Sequence, residues 1–138
     1  MKIIQSFICL LLVLSSFNLQ AEKENSQSNY IPPESRKLFD PEIIDGELHM
    51  QREHWFHNFK VGAIPAFCTN PQAGFLNVYK GEKEKCPLEV EAIMDLCLTK
   101  LADKSIPEKI VGVMQANAAG QNMGMCTFVA YQQSLKDV

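Results

Sequence analysis

Apolar side chains recur at helical spacing along much of this chain. Ile44, Leu48, Trp55 and Phe59 fall at offsets 0, 4, 11 and 15, one stripe of a helix with 3.6 residues per turn. Asp40 can cap such a helix, Pro41 suits its first turn, and Glu42 suits its positive end. The pattern predicts a helix over residues 41–59, ended by Lys60–Gly62 and weakened at Gly46 by roughly 1 kcal/mol relative to alanine. "AIPAFCTNPQAG", residues 63–74, then reads as a connection, with two prolines and a glycine. "FLNVYKG", residues 75–81, fits a short strand or a short helix.

The next periodic stretch is "KCPLEVEAIMDLCLTKLADK". Pro87 fits a first helical turn, Glu89 and Glu91 favour the N-terminal end, and Lys100 and Lys104 the C-terminal end. A helix over residues 86–103 turns through about 1100° between Cys86 and Cys97, so both point to the face holding Val90, Ile93 and Leu101. They lie about 16 Å apart along the axis, whereas a disulfide spans at most about 7 Å between α-carbons. Cys86 and Cys97 therefore cannot pair while the helix is intact.

The last third supports two patterns. "KIVGVMQ" and "MCTFVAY" are rich in β-branched and aromatic residues and could form a C-terminal β-hairpin. Read as a helix, Ala119, Met123, Cys126 and Ala130 make a stripe at 0, 4, 7 and 11, and Gly120 and Gly124 would let another helix approach closely.

The N-terminus changes the picture of where the protein works. Lys2, an apolar run over residues 3–17 and Ala21 before "EKE" describe a secretory signal peptide over residues 1–21. The apolar run is short for a membrane span of about 20 residues. Residues 22–39, polar and with adjacent prolines at 32 and 33, read as a disordered leader. The domain is then expected over residues 40–138. Cleavage leaves 138 − 21 = 117 residues with 13 − 1 = 12 basic and 16 acidic side chains, a net charge of −4. That excludes the basic footprint of a nucleic-acid binder, and no second apolar run suggests a membrane span. Cys9 leaves with the signal, and Cys68, Cys86, Cys97 and Cys126 remain. An even number in a small exported chain predicts a disulfide framework.

These cysteines sit in a recognisable pattern: Cys68, Val78–Tyr79, Cys86, Cys97, Ile106–Pro107, Gly120-x-x-x-Gly124-x-Cys126 and Tyr131. Over residues 64–133 the chain resembles a group of small exported bacterial proteins with no established activity. Val78 departs from it, standing where that group has a cysteine. The resemblance implies a helical last segment, here residues 114–134, and an exported compartment, the bacterial periplasm or the extracellular space. The expected fold is thus mainly α, a disulfide-stapled helical domain, with α+β and a C-terminal hairpin as the alternative. Two connectivities satisfy the helix geometry. Cys97–Cys126 with Cys68–Cys86 is preferred, because it joins two apolar helix faces and closes a short loop; the alternative is Cys68–Cys97 with Cys86–Cys126.

Candidate chemistry is sparse. His49, His54 and His57 cluster in sequence, and zinc needs three or four converging ligands. Met123 and Met125 are soft donors suited to Cu(I), but on a helix they point apart, and methionine also fills cores. There is no Cys-x-x-Cys, Gly-x-Ser-x-Gly or His-Glu-x-x-His, and no cofactor is expected. Trp55, Phe56 and Phe59 are either a partner surface or core, and the exposure of Phe56 decides between them. The expectation is a non-enzymatic exported module that binds a protein partner in the envelope or outside the cell. A zinc- or copper-binding protein is the alternative, and a small hydrolase a third.

Overall fold

The computed structural model describes residues 30–137; the expected signal peptide and residues 22–29 of the expected leader lie outside them. The chain is mainly helical, with a small antiparallel sheet. In order it forms β1 (Glu42–Ile44), β2 (Glu47–Gln51), α1 (Arg52–Thr69), α2 (Cys86–Leu101), β3 (Lys109–Val111) and α3 (Gly112–Ser134). The strands lie in the order β1-β2-β3. Among the described residues no helix is long and apolar enough to cross a membrane.

The helix expected over 41–59 is replaced by a β-hairpin and a later helix. Asp45 and Gly46 both have positive φ, 52° and 80°, the conformation of a two-residue type I′ hairpin loop. Strand pairing then sets Ile43 opposite Leu48 and Ile44 opposite Glu47. Leu48 and Met50 share one face, and Met50 is buried. The helix begins only at Arg52, whose N–H donates to the Glu108 carbonyl at 2.8 Å.

That helix does not stop at Lys60–Gly62 but runs through Pro65 to Thr69, so the expected connection at 63–74 is half helix. Pro65 forfeits one backbone hydrogen bond. In return the extra turns bury Ile64 and Cys68 and bring Cys68 to Cys86, with α-carbons 5.8 Å apart. Packing of an apolar face outweighs local propensity here. Phe75–Asn77 is a short 3-10 turn, neither strand nor α-helix. It places Phe75, fully buried, among Phe67, Tyr79, Phe128 and Tyr131.

α2 starts at Cys86 with Pro87 in its first turn, as the charge pattern predicts. Cys86, Val90, Met94 and Cys97 are its fully buried residues, at offsets 0, 4, 8 and 11. Cys97 bonds to Cys126 of α3, with α-carbons 5.9 Å apart. The preferred connectivity is thus the one present. Two disulfides point to an oxidising, non-cytoplasmic compartment.

The C-terminal hairpin alternative fails. "KIV" of the first candidate strand does form β3, but it pairs with β2, Met50 opposite Ile110, while "MCTFVAY" lies within α3. Gly112, with φ of 75°, turns the chain from β3 directly into the helix. Gly120 and Gly124 admit rings rather than a helix backbone. A Cβ at Gly120 would meet Phe59 at 3.4 Å, and one at Gly124 would meet Phe67 at 3.9 Å.

Packing starts before Asp40, the expected domain boundary. Pro33 is buried, and the Arg36 guanidinium donates two hydrogen bonds of 2.7 Å to the Glu91 carboxylate. Asn58 then holds Phe39 at two points, accepting from its N–H at 2.9 Å and donating to its carbonyl at 2.8 Å. Residues 31–39 form a strap across α1 and α2.

Candidate functional site

A groove of about 680 Å³ opens between the hairpin, α1 and α3. Pro41, Leu48 and Met50 form one wall, Trp55, Asn58 and Phe59 the floor, and Ala116, Asn117, Gly120 and Gln121 the other wall. Each wall follows from local structure. Leu48 and Met50 alternate onto one face of β2, and Trp55 and Phe59 stand one helical turn apart, their rings stacked with centroids 5.3 Å apart. Ala116, Gly120 and the two amides share one side of α3, where small residues leave the space open.

None of the ten lining residues is charged. α3 contributes to this, because no Asp, Glu, Lys, Arg or His occurs between Ile110 and Leu135. Asn58 is committed to the strap. Asn117 and Gln121 are exposed, and among the described residues they have no hydrogen-bond partner. Apolar contact with a few amides to fix orientation is the usual composition of a binding cleft.

The residues singled out from sequence are placed as follows. Phe56 is 6% exposed with the Lys60 ammonium 4.6 Å from its ring centroid, so it is core. Trp55 is also buried, and with the half-buried Phe59 it lines the groove. Of the aromatic trio, Phe56 thus packs in the core while Trp55 and Phe59 reach the groove.

The histidines serve the strap. His54 stacks on Phe39 at 4.0 Å, and His57 meets the same ring edge-on at 5.0 Å. The Nε2 of His57 donates to the Lys37 carbonyl at 2.9 Å. His49 sits on β2, on the face opposite Leu48, and lines a smaller hollow of about 230 Å³ with Glu42, His54 and Lys109. Among the described residues no three His, Cys, Asp or Glu side chains gather where they could hold a metal ion. Met123 is fully buried and Met125 is 67% exposed, so that pair points apart. All four cysteines of the described chain are in disulfides.

Glu91 joins the strap to two helices. It accepts from Arg36 and lies 3.1 Å from the Lys60 ammonium, which also reaches Asp95 at 3.0 Å. Burial pushes the Glu91 carboxyl up, but the hydrogen bonds and charges of Arg36 and Lys60 more than offset this and hold it below its ordinary value. Burial and the hydrogen bond to Glu89 raise the Tyr79 phenol. Tyr79 belongs to the aromatic core at the far end of α2 and α3, not to the groove.

The groove was not foreseen from sequence, since its walls are some 60 residues apart in the chain. Two signals pointed toward it: the Asp-Gly pair before the alternating "ELHMQ", and the charge-free run from 110 to 135. No family model, curated protein or solved structure matches the chain.

Proposed function

We propose that this chain is an exported, non-enzymatic module that docks a protein partner in its apolar groove. Export rests on the N-terminal pattern, and the two disulfides support it. The observation that carries the docking role is the groove itself: an uncharged cleft of about 680 Å³ floored by Trp55 and Phe59. A protein segment suits it because one wall is a sheet face that ends at the edge strand β1, whose backbone can bond a peptide as a small molecule rarely does. This is also what the resemblance to small exported bacterial proteins implies about compartment.

The test is a displayed-peptide selection against the chain with both disulfides formed. Selected peptides are then compared on wild type, Gly120→Ala and Gly120→Leu. The leucine side chain projects into the groove over its floor, whereas the alanine Cβ makes only ordinary contact with Phe59. Binders that survive Gly120→Ala and weaken about tenfold or more on Gly120→Leu are the expected result. Binders indifferent to Gly120→Leu, or no binders at all, would refute docking in this groove.

A further inference from the structure

The hairpin wall specifies what kind of segment fits. A two-residue type I′ loop closes on a pair that exchanges backbone hydrogen bonds, here Ile44 and Glu47. Alternation along an antiparallel ladder then turns the N–H and C=O of Glu42 and Ile44 toward β2, and those of Ile43 away from it. β1 is an edge strand, so the Ile43 backbone faces the open edge. At the opposite edge the Val111 N–H is already taken by Gln115 Oε1 at 2.5 Å. The sheet therefore has one capped edge and one open one.

The sheet face that lines the groove extends to this edge. The Ile43 side chain shares the sheet face of its partner Leu48, yet it is 67% exposed. Nothing in the described chain covers the groove side of β1. The other face of the strand carries Glu42, opposite His49. Asp40, Glu42, Asp45 and Glu47 put four carboxylates into residues 40–48, with no lysine or arginine among them. Lys109 lines the hollow beside Glu42, one basic group near these four acids.

We propose that the occupant is an extended segment of the partner that adds to β1 as a fourth strand, with apolar residues alternating with lysine or arginine. This rests on the docking role proposed above. The Ile43 N–H and C=O bond the incoming backbone, its apolar side chains cover Ile43 on the sheet face that lines the groove, and its basic ones stand beside Glu42 on the other face. Backbone bonds supply affinity and the alternating faces supply selectivity in such strand addition, and opposite charges across strands are favourable. A helical occupant would need neither the free backbone of Ile43 nor a period of two.

The experiment compares three synthetic peptides by fluorescence anisotropy: an alternating apolar–Lys peptide, one of the same composition with apolar residues at helical spacing, and an alternating apolar–Glu peptide. The alternating Lys peptide should bind wild type about tenfold or more tighter than either other, and weaken as salt rises. Ile43→Pro removes the edge N–H at a position where an edge strand tolerates proline, and should weaken binding about tenfold. Glu42→Lys, which leaves the backbone intact, should shift preference to the Glu peptide. Urea unfolding of both variants checks that they remain folded. Preference for the helically spaced peptide would overturn strand addition. So would binding abolished by Gly120→Leu but unmoved by both Ile43→Pro and Glu42→Lys, while leaving the groove in place. No binding by any peptide would overturn the docking role as well.

Discussion

Replacing Cys97 and Cys126 together by alanine removes the covalent tie between α2 and α3, and its effect can be worked out. The bridge closes a sequence separation of 29 residues. Chain entropy for a loop of that length corresponds to about 12 cal/mol/K, or about 3.6 kcal/mol at 25 °C. Cys68–Cys86 spans 18 residues, which gives about 3.2 kcal/mol. The two loops, 68–86 and 97–126, do not overlap, so their contributions should nearly add, to about 7 kcal/mol. Small domains hold about 5–15 kcal/mol in all. Losing one bridge should leave a folded but weakened protein, and losing both should bring it close to unfolding. Trp55, the single tryptophan, is 7% exposed and reports unfolding directly. Urea titrations followed by its fluorescence should show the Cys97→Ala/Cys126→Ala pair destabilised by about 3–4 kcal/mol, with Tm lower by roughly 15–30 °C. A loss below about 1 kcal/mol would refute the reasoning, because the open chain would then gain little freedom on losing the bridge.

Other perturbations test the strap and the α3 packing. The Glu91 carboxyl is held below its ordinary value in the folded state, so the stability it contributes is full above the unfolded pKa of about 4.3. That contribution fades as pH falls through the folded value. Glu91→Gln should flatten the acid limb of the stability–pH curve, and an unchanged limb would contradict the assignment. Asn58→Ala removes both hydrogen bonds to the Phe39 backbone, worth about 1–3 kcal/mol locally. Hydrogen exchange across residues 36–40 should accelerate while that of α2 stays unchanged; equal exchange in the two proteins would mean that the strap is held elsewhere. Gly120→Ala should be neutral or stabilising by up to about 1 kcal/mol, since its Cβ meets Phe59 at 3.4 Å. A clear loss in urea unfolding would show that the ring cannot give way.

What was legible in the sequence followed from unambiguous periods. α2 was readable because Pro87, the early glutamates and the Cys86-to-Cys97 spacing agree on one helix, and that helix in turn barred an internal disulfide. The N-terminal hairpin was not, because Ile44 and Leu48 lie four apart and fit a helical stripe as well as two strands around a turn. Asp45–Gly46 held the deciding information, in backbone dihedrals that a helix cannot adopt. α1 ran past its expected end because Ile64 and Cys68 gain more from the core than Pro65 loses from the ladder. In the last third the choice between strand and helix was resolved by tertiary pairing: β2 needs only three residues of partner strand, and Gly112 frees the rest for α3. The groove depended on all of these outcomes together. Leu48, Phe59 and Gly120 meet only once the hairpin, the long α1 and the helical C-terminus are in place.

The central claim is tested most directly by an NMR titration of the ¹⁵N-labelled, disulfide-bonded chain with the alternating apolar–Lys peptide. The account predicts that the amides of Ile43, Leu48 and Gly120 shift together, and that the Ile43 N–H becomes protected from exchange as it bonds the added strand. Shifts confined to other surfaces, with Ile43 unmoved and unprotected at saturation, would contradict it.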